Sequence, residues 1–464
     1  MIYEALRFLF QLALRIFFSR IEVEGLENIP RTGPVLFLPN HPNALVDALV
    51  VLNNVPRPVS LTAKSTLGEH HPFMAYLMRK ANVIRFHRKQ DSELGADRSR
   101  NIKALDECMR RLKNEGAIII FPEGQSHSDP GIRPFRWGAA RLALDYTLSE
   151  DVSVPLNIVP VGLHFPHKAR FRSDVWVCFG EAVNVQEWVE ANPVSGAEGL
   201  IAEMQDRVRG LTLNFEKKID SILLIWIARV LVTGGMAPEP IWRKKKTVAS
   251  HVALVKTIKD GYDRLKGTRP REIEDLKLRV AKYRSELREL GIAPGEVYIK
   301  MSTWAAAAFV FREIGFLLVG LPMTAWGFVN HLVPYQLVRL FALKFAQEKD
   351  QVASNVVFPG VVVFPLFYII QIAAAWFFLP AVWAGLYTAS LPLSAYFILQ
   401  YRDRAGGILQ RRRAFWMFVN HPELQERLVS EGRSIIEDLQ RLGEGLNSGN
   451  DTSIKGDSTP NPGD

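Results

Sequence analysis

Apolar residues are set along this chain in two rhythms. Short, mainly apolar runs recur at residues 35–38, 59–61, 83–86, 117–121, 157–161 and 175–179. Their length and β-branched content are those of strands covered on both faces. Residues 73–80 and 98–114 instead repeat apolar positions every three to four residues, the period of a helix. The alternation between residues 21 and 185 predicts an α/β domain, a central sheet flanked by helices. Residues 21–30, IEVEGLENIP, read as its first strand and turn.

Ahead of that domain, residues 5–18 are apolar except for Arg7, Gln11 and Arg15, spaced four apart on one helix face. The segment is too short to cross a bilayer; it fits an interfacial helix, or equally one packed on the protein's own core. The start of the chain shows no small-residue cleavage signal, so it is not expected to be a secretory leader.

Beyond the domain the pattern changes again. Residues 221–232 are apolar but short, with Arg229 inside, as in a membrane-surface or core helix. Arg243-Lys244-Lys245-Lys246 and residues 256–290 carry charge on amphipathic helices, usually a solvated face, although the lysine run could also meet anionic headgroups. Residues 314–333 are apolar and long enough to span a bilayer. Residues 351–401 contain no charged residue or histidine, which predicts two spans joined by a tight turn near Pro380. Arg243 to Lys246, Arg339 with Lys344, and Arg411 to Arg413 are expected on the cytoplasmic side. That requires residues 304–333 to return to their starting side. Arg312 and the Gly320-Leu321-Pro322 break favour a re-entrant or broken element there, with one full span as the alternative. The plan is then an interfacial helix (1–20), an α/β domain (21–215), a charged helical region (216–300), membrane-embedded helices (301–401), a helical tail (402–447) and a disordered end (448–464).

Composition narrows the partners. The 464 residues leave room for two or three domains, and the net charge of +9 suits phosphorylated substrates, coenzyme A or an anionic membrane face. No nucleic-acid recognition module is apparent, so nucleic acid is not expected as a partner. Two cysteines, Cys108 and Cys178, form no disulfide framework or cysteine metal site and fit a reducing compartment.

Candidate chemistry gathers where strands end. Val35-Leu36-Phe37-Leu38 stops at Pro39-Asn40 and delivers His41; Asn43 can cap the next helix, with Asp47 in its first turns. A histidine held by a carboxylate is a general base, although an isolated pair of this kind can also be a strand end beside a solvated helix residue. After the run at 117–121, Pro122-Glu123-Gly124 break the strand, and Ser126, His127, Arg133 and Arg136 follow in what reads as a polar pocket for a phosphorylated alcohol. The strand at 83–86 runs into His87, Arg88 and Lys89, either a phosphate clamp or a solvated basic edge.

In this order, across about residues 21–185, these stretches resemble the glycerolipid acyltransferase superfamily, which includes glycerol-3-phosphate and lysophosphatidate acyltransferases. The most specific pieces are Asn40-His41 with Asp47, and Phe121-Pro122-Glu123-Gly124. Val23-Glu24-Gly25-Leu26-Glu27-Asn28-Ile29-Pro30, Arg88, Pro160 and Val177-Cys178-Phe179-Gly180-Glu181 support them. The common motif has four residues between His and Asp, whereas five intervene here. That spacing, with Gln90-Asp91 after Arg88 and Ser126-His127 after Gly124, is similar to the glycerol-3-phosphate/dihydroxyacetone-phosphate acyltransferases of fungal endoplasmic reticulum and their bacterial relatives.

The resemblance implies acyl transfer from acyl-coenzyme A or acyl-carrier protein to glycerol 3-phosphate, with the thioester as co-substrate and neither metal nor other cofactor. It implies His41 and Asp47 as catalytic residues. Glu123 and Gly124 would bind the polyol, and Arg88, Ser126, His127 and Arg136 its phosphate. It also implies a bacterial inner-membrane or endoplasmic-reticulum enzyme among membrane lipids, its catalytic domain on the cytoplasmic side. Lysophosphatidate or another lysophospholipid is the alternative acceptor; a hydrolase activating water, or an inactive membrane adaptor, are the rival classes. The sequence leaves the oligomeric state open.

Overall fold

A computed structural model describes residues 2–64, 78–86, 97–234, 247–298, 303–346 and 348–452. Arg88, the lysine run at 243–246, most of the helix expected at 73–80 and residues 453–464 lie outside them. The described chain falls into two units, Met1–Asn214 with Asn330–Leu391, and Phe215–Val329 with Pro392–Asp464.

The first unit is built on a mixed sheet. Its strands are β1 (Phe18–Glu24), β2 (Val35–Pro39), β3 (Val59–Lys64), β4 (Val83–Phe86), β5 (Ala117–Ile119), β6 (Asn157–His164), β7 (Ser173–Phe179) and the short β8 (Val183–Asn184). Among the described residues the order is β1-β7-β6-β2-β5-β3-β4, with β8 paired to the start of β6. β6 pairs with β7 and β8 antiparallel; the remaining pairs are parallel. The parallel centre explains the unbroken apolar run of β2. In β2, Val35 and Phe37 face one core with α1 (Ile2–Phe17) and α2 (Ala44–Asn54). Leu36 and Leu38 face the other, with α3 (Asp97–Lys113), α4 (Gly138–Thr147), α5 (Val185–Ala191) and α6 (Gly196–Leu211). All four side chains are fully buried, each contributing about 1.5–3 kcal/mol of hydrophobic stabilisation. A sheet position open to water on one side could not sustain that run.

The second unit packs helices α7 (Lys218–Gly234), α8 (Val248–Thr268), α9 (Pro270–Leu290) and α13 (Pro422–Thr452). Their interior holds Leu224, Val255, Val280, Tyr283, Leu428 and Ile435. The Tyr283 hydroxyl donates to the Leu428 carbonyl at 2.9 Å, and Arg279 pairs with Asp438. The charges of residues 256–290 thus include cross-helix ties as well as a solvated face. Helix α13 runs through the first residues of the stretch read as a disordered end.

Three further helices, α10 (Thr303–Phe345), α11 (Val352–Phe378) and α12 (Ala381–Asn420), contain segments long and apolar enough to cross a membrane. Leu379-Pro380 separates α11 from α12, where the turn was expected. The break expected at Gly320-Leu321-Pro322 is absent. Helix α10 continues through it, because an interior proline forfeits one hydrogen bond without ending a helix that lacks any other partner for its backbone.

Candidate active site

Three strands deliver the site. β2 and β5 run parallel, so their carboxyl ends open on the same edge of the sheet, the edge where ligands bind in such folds. β6 lies on the other side of β2, and the Asn40 side chain extends that pairing past the last strand residue. Its Nδ2 donates to the Leu163 carbonyl at 3.1 Å, and its Oδ1 accepts from the Leu163 N–H at 2.7 Å. The chain turns sharply after this double clamp and presents His41.

His41 Nδ1 lies 2.9 Å from Asp47 Oδ2, in the first turn of α2. The same oxygen accepts the Asn43 N–H at 2.6 Å. Asn43 therefore occupies the cap position without using its side chain as a cap; the carboxylate one turn on takes its amide instead. Five residues separate His41 from Asp47, and in the turn they form Ala44 has a positive φ of 47°. With Oδ2 accepting from Asn43, the hydrogen-bond network assigns the proton of the pair to Nδ1 and leaves Nε2 as the basic nitrogen. Asp47 is fully buried. Burial pushes its carboxyl above the usual range, and the His41 hydrogen bond and charge, then the Asn43 N–H and Lys168, pull against it. The His41 ring stacks on Phe121, centroids 4.0 Å apart.

Glu123 stands beneath His41, its side chain entirely buried. Oε1 accepts the His41 N–H at 2.7 Å; Oε2 accepts the Arg133 N–H at 2.9 Å and His127 Nε2. His127 Nδ1 accepts from the Asp129 N–H at 3.2 Å, so Nε2 carries the ring proton toward Glu123. The His127 N–H in turn donates to the His41 carbonyl at 3.2 Å. The loop after β5 and the loop after β2 are thereby laced together through both main-chain groups of His41.

Gly124 has a φ of 78°, in the left-handed region that favours glycine. A Cβ there would also stand 2.7 Å from Arg136 Nε, whose guanidinium lies across the glycine. Arg136 is exposed, while Arg133 is engaged with Asp129 at 2.6 Å. The Ser126 hydroxyl donates to Asp350 Oδ2 at 2.6 Å.

Glu123, Gly124, Ser126, His127 and Arg136 therefore share one loop beside His41 and Asp47; Arg88 lies outside the described residues. The donor protons of Ser126 and His127 are committed to protein carboxylates, which leaves Arg136 as the loop's exposed cation. Among the described residues, no group of three or more His, Cys, Asp or Glu side chains is gathered as for a metal ion.

Two contributors had no readable signal in the chain. Lys168, 126 residues beyond Pro42, donates to the Pro42 carbonyl at 2.9 Å and the His127 carbonyl at 3.0 Å, closing the two loops from the side. Asp350, 224 residues beyond Ser126, reaches the site from the start of α11. Its one distinction in the sequence is to be the last charge before the uncharged stretch.

Residues 20–164 match the model of the Acyltransferase family. The chain is 27% identical over 206 residues to glycerol-3-phosphate O-acyltransferase 2 of Saccharomyces cerevisiae, a match covering 44% of this chain and 26% of the yeast protein. It is 26% identical over 148 residues to a chloroplastic 1-acyl-sn-glycerol-3-phosphate acyltransferase of Brassica napus, covering 32% of this chain and 38% of that one. A crystal structure of the 1-acyl-sn-glycerophosphate acyltransferase of Thermotoga maritima aligns with a TM-score of 0.35 at 24% identity, over 45% of this chain and 77% of that chain.

Proposed function

The domain over residues 20–164 belongs to the glycerolipid acyltransferase superfamily, and on that premise we propose that this protein moves a fatty acyl group from acyl-coenzyme A to glycerol 3-phosphate. The observation that carries the proposal is the His41–Asp47 pair at 2.9 Å, with Nε2 left as the basic nitrogen. Nε2 takes the proton of the attacking hydroxyl as its oxygen bonds to the thioester carbonyl carbon. Collapse of the tetrahedral intermediate breaks the carbon–sulfur bond, and the imidazolium returns the proton to the departing thiolate. Asp47 fixes the ring's tautomer and stabilises the imidazolium while it lasts.

Glu123 and His127 brace His41 from beneath, through its N–H and its carbonyl. Gly124 and Arg136 stand on the same loop. The glycine leaves room for the guanidinium, which pairs with the acceptor's phosphate, in the role expected also of Arg88. The exposed apolar side chains of α1 and the apolar helices α10 to α12 keep the enzyme at the bilayer that receives its product, the catalytic domain facing the cytoplasm. The similarity to a plant 1-acyl-sn-glycerol-3-phosphate acyltransferase supports a second reading, in which lysophosphatidate is the acceptor.

Purified protein is expected to release free thiol from palmitoyl-coenzyme A only when an acceptor is supplied. Glycerol 3-phosphate and lysophosphatidate, given separately, distinguish the two readings. His41→Ala should lower the rate by about 10²–10⁴-fold while the variant stays folded and membrane-bound. Full activity in that variant would end the mechanism.

A further inference from the structure

We propose that Asp350, at the start of α11 and far outside the matched domain, is a positioning residue for this reaction. It fixes Ser126 as a hydrogen-bond acceptor for the second hydroxyl of the glycerol phosphate. The inference rests on acyl transfer to glycerol 3-phosphate being the activity.

Ser126 follows Gly124 by two residues and precedes His127, whose ring and main chain hold Glu123 and His41. Its hydroxyl has one proton, and that proton goes to Asp350 Oδ2 at 2.6 Å. What remains on the oxygen is acceptor capacity. An oxygen in that state repels an ionised phosphate and receives a hydroxyl. Asp350 is 1% exposed, and its other oxygen, Oδ1, has no hydrogen-bond partner among the described residues. Ser354, one helical turn on, is also buried, with its Oγ unpartnered. A neutral side chain would cap the start of α11 without the desolvation penalty of a buried, half-satisfied acid. The carboxylate does what a neutral side chain would do less firmly: it holds the serine proton in one direction.

Glycerol 3-phosphate offers two hydroxyls, one to attack and one to be read. Dihydroxyacetone phosphate has a ketone in place of the second and nothing to donate to Ser126. The two acceptors therefore isolate the contact.

The full-length protein in lipid vesicles is assayed with palmitoyl-coenzyme A and each acceptor. Asp350→Ala and Ser126→Ala are each expected to raise KM for glycerol 3-phosphate about three- to tenfold, the size of one hydrogen bond. Neither should raise KM for dihydroxyacetone phosphate or move KM for palmitoyl-coenzyme A. The double variant should be no worse than Ser126→Ala alone. Asp350→Asn, which keeps an oxygen for the serine proton, should restore most of the discrimination. The proposal is overturned if Asp350→Ala shifts both acceptors equally, or lowers kcat together with the thermal midpoint at unchanged KM. It is overturned as well if Ser126→Ala alone keeps the wild-type preference, a measurement that stands even when Asp350→Ala fails to fold. Wild-type protein that acylates neither acceptor overturns the functional reading and this inference together. Active wild type with unaltered variants overturns this inference alone.

Discussion

Asp47 receives the His41 ring and the Asn43 N–H on a single oxygen, Oδ2, and leaves Oδ1 buried and unpartnered among the described residues. An asparagine in its place can set its amide oxygen where Oδ2 stands and keep both hydrogen bonds. Asp47→Asn therefore removes the charge that faces the imidazolium while leaving the ring oriented. Its expected kcat loss falls short of the ~10²–10⁴-fold loss for removing the base itself. Asp47→Ala, which also frees the ring, should match His41→Ala. Steady-state rates of the three variants check the order, and an Asp47→Asn variant as slow as His41→Ala would show that orientation rests on the carboxylate's charge. His41 and Glu123 stood out because each lies within four residues of the end of a buried strand, where an apolar run stops, and Asp47 because it is a charge in the first turn of an otherwise apolar helix. Lys168 and Asp350 did not. Their contacts cross 126 and 224 residues of chain, and nothing local marks a lysine or aspartate that will close a loop so far away. Arg7 shows the same limit in small. Read as part of a polar helix face, it donates to the Val55 carbonyl at 2.7 Å, across the top of α2.

One face of helix α1 packs on the protein and the other is exposed. Leu14 and Phe17 are buried in the domain core, and Phe10 packs on Phe358 of α11. On the outward side Phe8, Leu9, Leu12 and Ile16 form an exposed apolar stripe, with Phe8 64% exposed. Periodicity alone could not divide these residues, because apolar side chains occupy most of the circumference. An apolar stripe adjoining a helix long enough to cross a bilayer calls for lipid rather than water. Replacing Phe8 and Leu12 together by serine touches little inside the protein, so the thermal midpoint in detergent is expected to hold within the small range of surface substitutions. Activity on vesicles should fall severalfold, because two side chains lose the hydrophobic gain of entering the interface. A drop in the detergent midpoint, with vesicle activity moving in proportion, would make the stripe part of the core instead.

At the scale of the whole molecule, composition identified the apolar helices but could not say what joins them. The run at 351–401 stands out because it lacks charge; the polar residues within it, and Asn330-His331 before it, give no local sign of pairing. Within the first unit they meet. His331 Nε2 lies 2.7 Å from the Tyr368 hydroxyl, Gln371 Nε2 donates to the Asn330 carbonyl at 2.8 Å, and the Tyr387 hydroxyl donates to Asn330 Oδ1 at 2.7 Å. Asn330 and His331 are buried, on α10; their partners stand on α11 and α12. In hydrocarbon, apolar surfaces have no preference for one another over lipid, so hydrogen bonds and close packing must specify which helices associate. Asn330→Leu removes the Tyr387 contact and keeps the helix apolar enough to insert. The expected loss is about 0.6–2 kcal/mol, read as a lower unfolding midpoint in micelles. Tyr387→Phe should cost a similar amount by itself and little more when combined with Asn330→Leu, since both delete one bond. Additive losses would mean that the two residues act through separate contacts.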